Sequence, residues 1–523
     1  MSVADPHLML AFEGTEVPDW LAERLTESPP AGVTLFREWN MTSPGQVAAL
    51  TSSLQELNSN PLPLLIAVDQ EGGQLLGLAG STPFAGNMAL GATGDSGLAR
   101  SVAAAMGAEL AAVGVNVNYA PVADVATRSD NPSLGVRSFG EEPEHVGRFV
   151  AAMVEGFSGS GVMSTPKHFP GKGEARVDPH YELPLLDLDM DRLESVELPP
   201  FRAAFAAGAE LLMMGHYVVP SITGSDDLPI SASEKGINGF VRDVMGFGGL
   251  VITDALDMGA LDQGPAQVVE IITMMRGGTD LLLCMPDPAL QERVRVAVER
   301  GASRGLISSD TMTASRRRVE QLRVALRQPS LDPDLVGASA HLGLAAELAR
   351  RSVTVVRNDD GLLPVGLSSG ARVLSLEPVP TNVTPADTTA LYPPLLATAL
   401  RGHHDSVTEV VYPHDPAGND VAAAVESANN HDLVVVGTVA AGSSQAALVR
   451  AILATGKPVV TVALRTPYDL AAYPEAGTHL CTYSGHLPSL EALADLIFTG
   501  IGGQGALPVS IPGLYPIGHG LRL

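Results

Sequence analysis

Eight short apolar runs, each followed by a segment of helical period, constrain the fold of this chain more than any other feature. They fall at 7–12, 32–36, 64–69, 115–121, 162–168, 210–217, 250–255 and 280–285. Between them lie alanine-rich stretches such as 101–113, 144–157 and 198–207. A strand that is apolar on both faces must be covered on both, as in a parallel sheet flanked by helices. Eight strand–helix units in series predict a (β/α)8 barrel, which takes ~250 residues. An open doubly wound sheet is the structural alternative, and the number of units favours closure.

A second alternating pattern follows at 353–357, 372–376, 407–412, 432–437, 458–464 and 479–483. Helical segments between these runs predict an open three-layer α/β/α sandwich. Gln328-Pro329-Ser330-Leu331-Asp332-Pro333 breaks the preceding helix. The expected organisation is therefore a barrel over 1–328, a linker over 329–340 and a sandwich over 341–523. No Walker loop and no well-placed GxGxxG is present, so nothing supports nucleotide binding.

Polar residues sit where the barrel needs them. Asp69, Lys167, His168, His216 and Asp254 each close a predicted strand at its C-terminal end. In a barrel those ends converge on one mouth, where the active site forms. The richest segment is Lys167-His168-Phe169-Pro170-Gly171-Lys172-Gly173-Glu174-Ala175-Arg176-Val177-Asp178-Pro179-His180. It holds two of the chain's four lysines and an Asp–X–His pair. Scarce positive charge beside an acid–base pair points to a polar or anionic substrate.

The remainder of the chain excludes several classes. A net charge of −26 disfavours nucleic acid and anionic membranes as partners. Cys284 and Cys481 lie far apart in apolar runs, giving neither a disulfide framework nor a CxxC pair. No apolar run reaches the ~20 residues of a membrane helix. The first residues lack a basic region followed by a long apolar stretch, so the expected location is the cytoplasm. No cofactor or metal is expected.

With these residues in view, the chain resembles glycoside hydrolase family 3, in its bacterial β-N-acetylglucosaminidase and β-glucoside phosphorylase branch. Seven segments occur in family order. They are Ala67-Val68-Asp69-Gln70-Glu71-Gly72-Gly73, Asn118-Tyr119-Ala120-Pro121-Val122-Ala123-Asp124-Val125, Arg137-Ser138-Phe139-Gly140 and Lys167-His168-Phe169-Pro170-Gly171. Val251-Ile252-Thr253-Asp254-Ala255-Leu256-Asp257-Met258, Arg351-Ser352-Val353-Thr354-Val355-Val356-Arg357-Asn358 and Leu507-Pro508-Val509-Ser510-Ile511-Pro512 complete the set. The family commonly has arginine at positions 74 and 77, histidine at 172 and serine at 179. This chain has Gln74, Gly77, Lys172 and Pro179.

The resemblance implies a retaining, exo-acting enzyme for terminal β-glucosides or β-N-acetylglucosaminides. Retention needs a nucleophile below the anomeric carbon and an acid for the leaving oxygen. By resemblance Asp254 is the nucleophile and His180 the acid–base, with Asp178 fixing its tautomer. Asp69, Arg137, Lys167 and His168 would hold the sugar hydroxyls, with His216 a further candidate. The segment 262–267 is a place where the substituent at C2 could be read. The C-terminal domain is expected to supply no catalytic carboxylate.

The acceptor is the remaining choice. A neutral histidine does not repel phosphate as a carboxylate would. Lys172, expected to stay charged, and Arg176 could attract that anion. This favours transfer to inorganic phosphate, with plain hydrolysis as the alternative. Two readings from other classes are a Schiff-base aldolase at Lys167 and a metal hydrolase using His168, His180, His216 and Asp254.

Overall fold

A computed structural model describes residues 2–326 and 330–523. Eight parallel strands form the first domain: β1 (Leu8–Leu10), β2 (Gly32–Thr34), β3 (Leu65–Val68), β4 (Val117–Asn118), β5 (Met163–Ser164), β6 (Leu211–Met214), β7 (Leu250–Thr253) and β8 (Leu282–Cys284). The order β8-β1-β2-β3-β4-β5 is continuous, and β6 pairs with β7. Two parallel bridges, Phe169 to Met214 and Ile252 to Leu281, join these sets into a closed ring. All eight strands lie inside the predicted runs.

The period of two along each strand builds the barrel. Leu65 and Ala67 of β3, Met213 of β6 and Leu250 and Ile252 of β7 share the interior cluster with Met9, Val117 and Leu283. Their neighbours Ile66, Val68 and Leu212 face the surrounding helices instead. Removing one interior side chain, for instance by Ile252→Ala, should cost ~2–5 kcal/mol. The same alternation aims Asp69 and Asp254, two residues beyond Ala67 and Ile252, inward at the mouth.

The second domain is a six-stranded sheet: β9 (Thr354–Asn358), β10 (Val373–Pro378), β11 (Val407–Tyr412), β12 (Leu433–Thr438), β13 (Val459–Ala463) and β14 (Thr478–Cys481). Its order is β9-β14-β13-β12-β10-β11. Every pair is parallel except β9 with β14. That antiparallel edge was not legible, because a strand's direction leaves no mark in its composition.

The expected linker begins at position 329, which lies outside the described residues together with 327 and 328. Beyond them Asp332 donates its N–H to Ala112 O at 2.9 Å, and the helix Ser339–Ser352 leads into β9. The chain's last segment returns to the barrel. Glu141 N–H donates to Pro508 O, and Ser510 donates its N–H and hydroxyl to the Glu141 carboxylate. Among the described residues no helix is long and apolar enough to cross a membrane.

Candidate active site

A cavity of about 430 Å³ opens at the C-terminal mouth of the barrel. Its lining includes Asp69, Arg137, Lys167, His168, Lys172, His180 and Asp254. The loop after β5 folds over the mouth and docks on the loop after β7. Gly259 N–H donates to His180 O at 2.9 Å and Ala260 N–H to Pro179 O at 3.0 Å. A side chain at 259 would strike the backbone of Tyr181 at 2.7 Å, so the two loops meet this closely only at glycine. That contact brings His180 to the same cavity as Asp254.

Asp254 follows β7 with its N–H donated to Met214 O at 2.9 Å, while its Oδ1 accepts Ala255 N–H at 2.9 Å. His180 Nδ1 lies 2.6 Å from Asp178 Oδ1. A carboxylate at that distance accepts, so Nδ1 carries the proton and Nε2 is left for exchange with a substrate.

The cavity floor is a buried ionic network. Lys167 Nζ stands 2.5 Å from both Asp69 Oδ1 and Glu71 Oε1. Arg137 grips Glu71 with both arms, Nε to Oε2 at 2.8 Å and Nη2 to Oε1 at 2.7 Å. Burial opposes the Glu71 charge, but Arg137 and Lys167 outweigh it and hold the carboxyl at about 2. Burial likewise opposes the charge on Lys167, but its carboxylate partners raise its pKa. An ammonium held in this way is no amine nucleophile, which counts against the Schiff-base reading.

His168 donates Nδ1–H to Asp124 Oδ2 at 2.8 Å, and its Nε2 is 3.4 Å from Arg137 Nη2. Burial, and then the cations Lys172, Arg137 and Lys167, push its pKa well below the usual value, so the ring is neutral. Asp124 also accepts the backbone N–H of Lys172 at 2.9 Å. Neither Glu71 nor Asp124 was assigned a role from the sequence. The signal was available: Lys167, His168 and Lys172 stand within six residues and need buried counter-charges, and both acids stand in the motifs quoted.

Four expectations need correction. His216 is buried, with Nδ1 2.7 Å from Ser231 Oγ and Nε2 3.2 Å from Ala255 O, and it does not line the cavity. It braces the backbone beside the nucleophile candidate. Arg176 is exposed and also lies outside the lining. Lys172 does line the cavity and is buried, but its charge is not permanent. Burial, reinforced by Arg137, pulls its pKa down to about 8. Segment 262–267 is likewise outside the lining, and Gln263 and Gln267 brace the carbonyl of Leu256.

One wall comes from the second domain. Pro385, Ala386, Asp387 and Thr388 line the cavity. Asp387 is a carboxylate at the site, but its Oδ2 pairs with Arg465 Nη1 at 2.7 Å and accepts Val383 N–H at 2.9 Å. Its Oδ1 accepts Thr389 N–H at 2.9 Å. Nothing in one sequence links Asp387 to the barrel, and this contribution was missed.

The family model for the glycosyl hydrolase family 3 N-terminal domain matches residues 10–322. The chain belongs to glycoside hydrolase family 3. A beta-hexosaminidase A from Pseudoalteromonas piscicida is 30% identical over 95% of this chain and 92% of its own length. The solved structure of a family 3 beta-N-acetylglucosaminidase from Paenibacillus sp. str. FPU-7 superposes with a TM-score of 0.91 at 31% identity, covering 97% of this chain and 98% of that one. The beta-glucoside phosphorylase BglX, bound to 2FGlc, shares the fold with a TM-score of 0.81 at 23% identity, covering 98% and 94%. The present chain is thus a family 3 glycoside hydrolase, built from the barrel and α/β sandwich of its relatives.

Proposed function

We propose that this family 3 enzyme is a retaining, exo-acting β-N-acetylglucosaminidase that transfers the sugar to water through a covalent intermediate on Asp254. The observation that carries the reading is that Asp254 and His180, the latter held by Asp178, line one cavity, above the floor of Asp69, Arg137, Lys167 and His168. Asp254 attacks the anomeric carbon while His180 Nε2–H protonates the leaving oxygen. The then-neutral Nε2 removes a proton from water as the glycosyl ester is cleaved. Lys167, Arg137 and Asp69 hold hydroxyls by charge-assisted hydrogen bonds. The N-acetyl specificity and the choice of water are supported by the names of the relatives that match nearly the whole chain.

Phosphate as acceptor is favoured by one feature. Among the described residues Lys172 Nζ makes no hydrogen bond or ion pair, and the residue lines the cavity. The case is weaker than the sequence suggested, because Arg176 faces away and Lys172 loses its charge near pH 8. Turnover of aryl β-N-acetylglucosaminide and aryl β-glucoside, each with and without phosphate, tests both points. The expected outcome is preference for the N-acetyl substrate and free sugar as product throughout. Accumulation of sugar 1-phosphate would replace hydrolysis by phosphorolysis.

A further inference from the structure

The cavity wall from the second domain is fastened to the barrel by an unusual set of contacts. Gln74 lies in the hairpin (Gln70–Gly72 and Leu75–Leu76) that follows β3. Its Nε2 donates to Ala386 O at 2.8 Å, and its carbonyl accepts Thr388 N–H at 2.8 Å. Thr388 Oγ1 in turn accepts Leu76 N–H at 3.1 Å. Arg465, from the loop after β13, spans both domains, with one arm on Asp387 and the other on Gln74 Oε1. Arg465, Asp387 and Gln74 are each less than 10% exposed. A buried ion pair is strongly destabilised when one partner is removed, so this clamp holds residues 385–388 at a fixed place.

Position 77 shows why the bracing guanidinium comes from the second domain. A Cβ there would lie 2.2 Å from Asp69 O, so the hairpin has no room for a side chain.

We propose that Arg465 and Gln74 are positioning residues that fix segment 385–388 as the wall beyond the non-reducing end of the bound sugar, and that this wall restricts the enzyme to terminal sugars. The inference rests on the function proposed above. Asp254 and the docked His180 loop lie on the β7 side of the mouth. The hairpin and its wall follow β3, which is opposite β7 in an eight-stranded ring. With the anomeric carbon at Asp254, the far end of the ring faces segment 385–388. A further sugar at that end would meet the wall.

The test uses Arg465→Ala, Gln74→Ala and the conservative Arg465→Lys in the full chain. Substrates are an aryl β-N-acetylglucosaminide and the aryl glycoside of its β-linked disaccharide. Wild type must trim the disaccharide before releasing the aryl group, which gives a lag. The alanine variants should raise KM for the monosaccharide about tenfold, leave kcat within about twofold and shorten the lag. Arg465→Lys, which keeps the charge on Asp387, should recover part of the affinity. Gln74→Ala retains the Arg465–Asp387 pair, so it tests the wall even if Arg465→Ala does not fold. A folded variant with wild-type KM and lag, or one losing kcat with KM unmoved, overturns the proposal. Failure of the underlying function shows separately, as full activity in Asp254→Ala or no turnover by wild type.

Discussion

A single oxygen, Asp178 Oδ1, receives both His180 Nδ1–H at 2.6 Å and the His180 backbone N–H at 3.0 Å. The ring and the backbone that carries it are therefore fixed by one atom. Burial would raise the Asp178 carboxyl, but its hydrogen bonds from His180 hold it below the usual carboxylate range. It stays ionised at neutral pH and keeps the proton on Nδ1, which leaves Nε2 free for the role proposed above.

His180→Ala should therefore lose ~10²–10⁴-fold on glycosides with poor leaving groups and much less on activated aryl glycosides. Rates measured across a series of leaving-group pKa values check this. Equal loss across the series would make His180 a structural residue.

Glu71→Gln removes the carboxylate shared by Arg137 and Lys167 and leaves two buried cations with Asp69 alone between them. The expected cost is ~3–5 kcal/mol in unfolding free energy, read by denaturant titration. The sign with pH follows from the folded value of about 2. The contribution of Glu71 is complete above its ordinary range near 4.5 and is lost as pH falls through about 2. The variant and wild type should thus converge in stability in strong acid.

Lys172 behaves in the opposite sense. Its folded pKa of about 8 lies below the ordinary 10.5, so between these values the unfolded chain binds more protons and stability rises with pH. Lys172→Met should raise the melting temperature by a few degrees at pH 7, with the advantage fading above about pH 10. Calorimetry at several pH values checks it. A variant that is less stable at pH 7 would show the ammonium to be favourably held by Asp254 and Asp124.

Much of this molecule was legible because its physics repeats. Doubly apolar strands recur eight times, and the period of two then carries Asp69 and Asp254 to the mouth. The pairing of Asp178 with His180 was legible because it is local. His216 and Arg176 were misread, because a strand-end or loop position does not show where a side chain turns. His216 turned away to Ser231, and Arg176 turned to solvent. The Lys172 charge was misjudged because burial, which lowers its pKa, is a property of the folded loop. The Gln74–Arg465–Asp387 clamp was out of reach, since its three members lie on three separate segments and meet only when the domains dock.

In the proposed reaction Asp254 forms the glycosyl ester. The most direct measurement is mass spectrometry of the enzyme after reaction with a fluorosugar donor that forms the ester faster than it is cleaved. One added glycosyl group per chain is expected, located by peptide sequencing on Asp254, with no label in Asp254→Ala. A label on another carboxylate, Asp257 or Asp387 for example, would contradict it.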